Sequence, residues 1–123
     1  MKFLVVDDSV TMRRIVTNSL KTLGYSAFVE AVDGKDALNK IQADSSINFV
    51  ITDWNMPNMT GLELTQAIRG NSATEGLPIL MVTTRGVKDD ILQALQAKVN
   101  NYVVKPFTPQ VLKEKLDQII SKL

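Results

Sequence analysis

MKFLVVDDSV, residues 1–10, is the stretch that decides the fold. Phe3, Leu4, Val5 and Val6 form an apolar run too short for a helix and without polar alternation. Such a run reads as a strand buried on both faces, the kind found in parallel sheets covered by helices. It ends directly in two acids, Asp7 and Asp8. Neighbouring carboxylates at the mouth of a buried strand repel each other and are costly to desolvate. Either they stand in water and cap a following helix, or a cation belongs beside them.

The same grammar repeats along the chain. After the first strand, Met12, Ile15, Val16, Leu20 and Leu23 fall on one helical face, with Ser9 as N-cap and Gly24 as the terminating glycine. Phe28–Ala31 is a second short strand, Asp33-Gly34 is turn chemistry, and Ala37, Leu38 and Ile41 mark a second helix. Phe49–Thr52 is a third strand that again empties into an acid, Asp53. Thr60 and Glu63 have the capping-box spacing and open a helix through Leu62, Leu64 and Ile68. Pro78–Val82 is a fourth strand ending at Thr83-Thr84, and Ile91, Leu92 and Leu95 mark the fourth helix. Tyr102–Val104 is a fifth strand ending at Lys105-Pro106. Thr108-Pro109 caps a last helix with a buried stripe of Leu112, Leu116, Ile119, Ile120 and Leu123. Asn58-Met59 and Asn100-Asn101 read as turns. Five strands alternating with five helices predict a (βα)5 α/β fold: a doubly wound parallel sheet in a three-layer sandwich. The 123 residues suffice for one domain and show no linker or repeat.

Composition narrows the chemistry. Hydrophobic residues make up 45% and charged residues 22%, a globular balance. With 14 basic and 13 acidic side chains the net charge is +1, and no basic run exceeds Arg13-Arg14, which argues against nucleic acid or membrane-surface partners. There is no cysteine and no histidine, so disulfides, zinc centres and histidine-based triads are excluded. Chemistry must run on carboxylates, hydroxyls, lysines and backbone, and oxygen donors suit Mg²⁺, Mn²⁺ or Ca²⁺. The apolar start stops at Asp7, short of the ~7–15 residues of a signal peptide core. A cytoplasmic protein is therefore expected.

In a doubly wound sheet, ligands bind at the carboxyl ends of the strands where the strand order reverses. Those ends carry Asp7, Asp8, Asp53, Thr83 and Lys105. Each alone has an ordinary explanation, a helix cap for an acid and a solvated side chain for the lysine. Taken together, acids from separate strand ends without a counterion are destabilising, so the set reads as a cation site.

These residues carry a resemblance. The Asp7-Asp8 pair, the stretch Asp53-Trp54-Asn55-Met56-Pro57-Asn58-Met59-Thr60-Gly61, Thr83, and Tyr102-Val103-Val104-Lys105-Pro106-Phe107 resemble the receiver domains of two-component response regulators, over the whole chain. The Asp53–Met59 stretch is similar to the stand-alone chemotaxis receivers in particular. The resemblance implies the flavodoxin-like strand order 2-1-3-4-5 and one receiver domain over residues 1–123, without an output domain. It implies Asp53 as phosphoacceptor, with Mg²⁺ held by Asp8, Asp53 and the backbone carbonyl of Asn55, and by Asp7 through water. Lys105 is then the phosphoryl counter-charge, its bond to Pro106 is cis, and Thr83 and Tyr102 are the switch pair, Tyr102 turning inward from solvent. The implied partners are a sensor histidine kinase, the flagellar motor switch protein and a phosphatase, engaged by a monomer. The implied output face spans the fourth helix, fifth strand and fifth helix, with Lys88, Lys98, Lys113 and Lys115 against Asp89, Asp90, Glu114 and Asp117. The resemblance implies a signalling protein and not an enzyme, beyond promoting its own phosphoryl uptake and slow loss.

Thr84 and Arg85 depart from the family pattern, where a small residue and often an acid follow the threonine; both bear on phosphoryl lifetime. Four other functions compete. A phosphorelay intermediate would use the same site. A Mg²⁺-dependent phosphohydrolase would need a second acid or base beside the nucleophile, and Asn55 offers none. A flavodoxin-type flavin carrier would need a phosphate-binding loop where Asp7-Asp8-Ser9 repels anions. A non-phosphorylated scaffold would leave the acid, lysine and threonine set without a purpose.

Overall fold

The computed structural model describes all residues, Met1–Leu123. Ten elements alternate along the chain: β1 (Phe3–Val6), α1 (Val10–Thr22), β2 (Phe28–Ala31), α2 (Gly34–Ala43), β3 (Phe49–Thr52), α3 (Gly61–Arg69), β4 (Ile79–Thr83), α4 (Lys88–Gln96), β5 (Asn101–Val104) and α5 (Pro109–Ile120). The strands form one parallel sheet in the order β2-β1-β3-β4-β5. The strand order reverses at β1, whose neighbours are β2 on one side and β3 on the other, so the carboxyl ends of β1 and β3 are where such sheets bind ligands.

Alternation within the strands builds two cores. Leu4, Val6, Val50, Ile79 and Met81 face Ala37 and Ile41 of α2, Leu64 and Ile68 of α3 and Ala94 of α4. Phe3, Val5, Phe49, Ile51, Leu80 and Val82 face Val16 and Leu20 of α1 and Leu112, Leu116 and Ile119 of α5. Every residue of β1, β3 and β4 is buried, as a sheet covered on both faces requires. At the edge, β2 is half exposed, and Lys40 donates to the Glu30 carbonyl, which blunts a ladder left open.

The helix starts follow their side chains. Ser9, Asp33, Thr60 and Thr108 each accept from the backbone N–H three residues on, and Thr60 with Glu63 completes a capping box. Asp33-Gly34, read as a turn, is the start of α2. Gly24 has φ +95°, the left-handed geometry that ends α1, and the bond between Lys105 and Pro106 is cis.

Four apolar residues expected inside are exposed: Ile15 (43%), Leu92 and Leu95 (45% each) and Leu123 (68%). In α4 it is Ala94 that is fully buried, and its small side chain lets the helix lie close to β5 while Leu92 and Leu95 point away. Leu123 lies beyond the end of α5, where no facing element covers it. Asn101, expected in a turn, begins β5. No helix is long and apolar enough to cross a membrane.

Candidate functional site

Asp7 and Asp53 extend their strands by one residue. The Asp7 N–H donates to the Ala31 carbonyl (3.1 Å) and the Asp53 N–H to the Val6 carbonyl (2.9 Å), so both acids are placed by the sheet ladder. On the far side of β4, the Lys105 N–H donates to the Thr83 carbonyl (2.8 Å). The sheet thus brings together Asp7, Asp8, Asp53, Thr83 and Lys105, which are remote in sequence. Carboxylate oxygens of Asp7, Asp8 and Asp53 all lie within 4.8 Å of one another.

One cation stands among them. Lys105 Nζ donates to Asp7 Oδ2 at 2.9 Å and lies 3.6 Å from Asp53 Oδ2, with its side chain only 10% exposed. The second oxygen of Asp7 accepts from the Ser9 N–H at 2.9 Å, and Asp7 is buried. Asp53 Oδ1 accepts from the Trp54 N–H at 2.7 Å. Burial, first of all, raises the Asp53 carboxyl above the ordinary carboxylate range. The Lys105 charge lowers it, Asp7 raises it further, and the Trp54 N–H and Thr83 hydroxyl favour the ionised form. Asp8 is exposed, and none of the ion pairs uses it. Three carboxylates against one ammonium leave a surplus of negative charge where their oxygens cluster. That donor set fits a hard divalent cation.

The β3–α3 loop owes its shape to close backbone packing. A Cβ at Gly61 would stand 1.9 Å from the Asp53 carbonyl oxygen, and the Gly61 N–H donates to the Trp54 carbonyl at 2.8 Å. Asn58 takes φ +65°, a left-handed turn that asparagine tolerates, and donates its side-chain amide to Asp33. The glycine spaced eight residues after Asp53 is therefore a matter of room.

Arg85, which the sequence singled out only as a departure bearing on phosphoryl lifetime, is tied into this neighbourhood by several contacts. Its guanidinium lies 4.5 Å over the Trp54 ring, donates to Asn55 Oδ1 from Nε and Nη2 (3.2 and 2.9 Å), and pairs with Asp90 at 3.7 Å. Its backbone N–H donates to the Thr83 hydroxyl and its carbonyl accepts from the Tyr102 hydroxyl. Tyr102 is 8% exposed, so the ring expected to turn in from solvent already lies inside. Burial chiefly, and Asp90 next, push its hydroxyl up to about 12. The one signal of Arg85 in the sequence was its departure from the family pattern.

Comparison with known proteins agrees with the geometry. The profile of the response regulator receiver domain matches residues 3–117. The chain belongs to that family. The receiver is 53% identical over 120 residues to the chemotaxis protein CheY1 of Helicobacter pylori, covering 98% of this chain and 97% of that one. It is 52% identical over 120 residues to a chemotaxis protein CheY homolog of Campylobacter jejuni, covering 98% and 92%. Among solved structures, the receiver superposes on the chemotaxis response regulator CheY4 of Vibrio cholerae with a TM-score of 0.86 and 36% identity, over 96% of this chain and 97% of that one. The receiver's fold and strand order are those expected, and it is a signalling module of the two-component kind.

Proposed function

We propose that this protein is a phosphorylation-activated chemotaxis response regulator, one receiver unit over residues 1–123 that works in the cytoplasm. The observation that carries the reading is the placement of Lys105 against both Asp7 and Asp53 at the point where three carboxylates meet. The similarity to named chemotaxis proteins supports the pathway.

In this reading a carboxylate oxygen of Asp53 attacks the phosphorus of a phosphohistidine on a sensor histidine kinase. A P–O bond forms, the P–N bond breaks, and the imidazole nitrogen keeps the electron pair and takes a proton. Asp8, Asp53 and the backbone carbonyl of Asn55 would hold Mg²⁺, with Asp7 contributing through water; the Asn55 side chain itself is engaged by Arg85. The bound cation supplies charge neutralisation for the transferring phosphoryl group. Lys105 holds a phosphoryl oxygen as a compact point charge, and Thr83 turns its hydroxyl from its neighbours to another. Arg85, bonded through its backbone to Thr83 and Tyr102, carries that loop movement toward β5.

The output surface joins α4, β5 and α5, where Val87, Leu92, Leu95, Val104 and Val111 are exposed apolar residues among charged ones. Such a patch suits a helical segment of a partner, and the partner assigned to it in this reading is the flagellar motor switch protein. A phosphatase ends the signal. The test is labelling from acetyl phosphate with Mg²⁺: wild type takes up phosphoryl and retains a motor switch protein, and Asp53→Asn does neither while keeping its fold. Labelling of the variant overturns the nucleophile assignment, and retention of a histidine phosphotransferase instead favours a relay.

A further inference from the structure

A helix N-terminus carries partial positive charge, and acidic residues are favoured in the first turn. In α1 that turn holds no acid, and Arg13 follows at once. A cation there breaks a local rule, and broken local rules mark functional positions. Nor is Arg13 a solvated surface residue, since its side chain is 11% exposed. It spans two elements: Nε donates to Glu30 Oε1 of β2 at 3.0 Å, and Nη1 donates to the backbone carbonyl of Asp7 at 2.7 Å.

The second contact matters for Asp8. A peptide unit is planar, so the Asp7 carbonyl oxygen, the Asp8 nitrogen and the Asp8 Cα move as one plate. The Asp7 side chain is fixed independently by Lys105 and the Ser9 N–H. The Asp8 carboxylate, by contrast, enters none of the ion pairs. Its direction depends on the plate that Arg13 holds. We infer that Arg13, braced by Glu30, is a positioning residue that aims Asp8 into the cation site. This inference rests on the reading of Asp7, Asp8 and Asp53 as that site. The rigid fork of a guanidinium reaches both acceptors at once, whereas a single ammonium on a flexible stem does not reproduce that geometry.

Charge and positioning predict opposite signs. A positive charge near the acids opposes cation binding, so its removal alone tightens binding. Loss of an outer group that orients a ligand weakens metal affinity roughly 10–100-fold. The experiment is Mg²⁺ titration of the whole protein, read by Trp54 fluorescence and by calorimetry, for wild type, Arg13→Met, Arg13→Lys and Glu30→Ala. The expected result is about tenfold weaker Mg²⁺ binding in Arg13→Met and in Arg13→Lys, although the latter keeps the charge, and a smaller weakening in Glu30→Ala. Equal or tighter binding in Arg13→Met, or wild-type binding in Arg13→Lys, overturns the positioning role while leaving the cation site intact. Absence of Mg²⁺ binding by wild type overturns the site itself. Should Arg13→Met fail to fold in a urea melt, Arg13→Lys decides by the same criterion.

Discussion

Gly61→Ala puts the spacing of the phosphoacceptor loop to a quantitative test. The added Cβ would lie 1.9 Å from the Asp53 carbonyl oxygen, where real contacts essentially never fall below 3.0 Å. The loop and the helix start must therefore separate by about 1.1 Å (3.0 less 1.9), and the obstacle is backbone that cannot rotate away. The Gly61 N–H bond to the Trp54 carbonyl, 2.8 Å long, stretches or breaks in the process. Overpacking of this kind costs about 1–3 kcal/mol, and the lost hydrogen bond adds about 1 kcal/mol. A displacement of ~1 Å at a reacting group costs about 100-fold in rate. The assay pairs urea unfolding with the rate of phosphoryl uptake from acetyl phosphate. Gly76→Ala is the control, since its Cβ meets nothing within 4 Å. If Gly61→Ala unfolds within about 0.5 kcal/mol of wild type and labels at the same rate, the space argument is wrong.

The two neighbouring acids have opposite consequences for metal-free stability. Asp8→Asn relieves repulsion from an exposed, unpaired acid and stabilises by about 1 kcal/mol. Asp7→Asn takes from buried Lys105 its partner at 2.9 Å and destabilises by about 2 kcal/mol, with Asp53 at 3.6 Å moderating the loss. Both weaken Mg²⁺ binding, and urea melts in chelator with and without Mg²⁺ separate the effects. Asp33 accepts first from the Asp36 N–H and then from the Asn58 amide, which holds its carboxyl below the ordinary 3.8. A depressed folded value contributes stability above the unfolded value and loses it as pH falls through the folded one. Asp33→Asn, which keeps a capping side chain, should lose less stability than wild type as pH falls through and below the ordinary 3.8, and equal losses would refute this. Arg69 donates to the carbonyls of Lys98, Glu75 and Leu77 and to Asn100 Oδ1, tying the α4–β5 turn to the start of β4. Arg69→Met should cost about 2–3 kcal/mol in a urea melt and leave phosphoryl uptake unchanged.

Much of this architecture is local and therefore legible in the chain. The apolar runs at Phe3–Val6, Phe49–Thr52 and Ile79–Thr83 are buried on both faces because helices cover both, and that burial is written as uninterrupted hydrophobicity. The caps at Ser9, Thr60 and Thr108 and the break at Gly24 act within a turn of their own position, so their spacing suffices to find them. The acids, threonine and lysine were legible as a set because a parallel sheet sends every strand end to the same edge. What spacing cannot carry is which side of a short helix meets the sheet. Leu92 and Leu95 are more apolar than Ala94, yet Ala94 is buried because its size sets how closely α4 approaches β5. Nor does a side chain announce a partner on a different strand. Arg13 meets Glu30 and the Asp7 carbonyl, and Arg85 meets Trp54, Asn55 and Tyr102, only because the sheet has already placed them side by side. The sequence by itself determined the elements, their order and the chemistry at the strand ends. Tertiary structure alone decided how the two arginines are used and that Tyr102 lies inside, because those contacts join residues that only packing brings together.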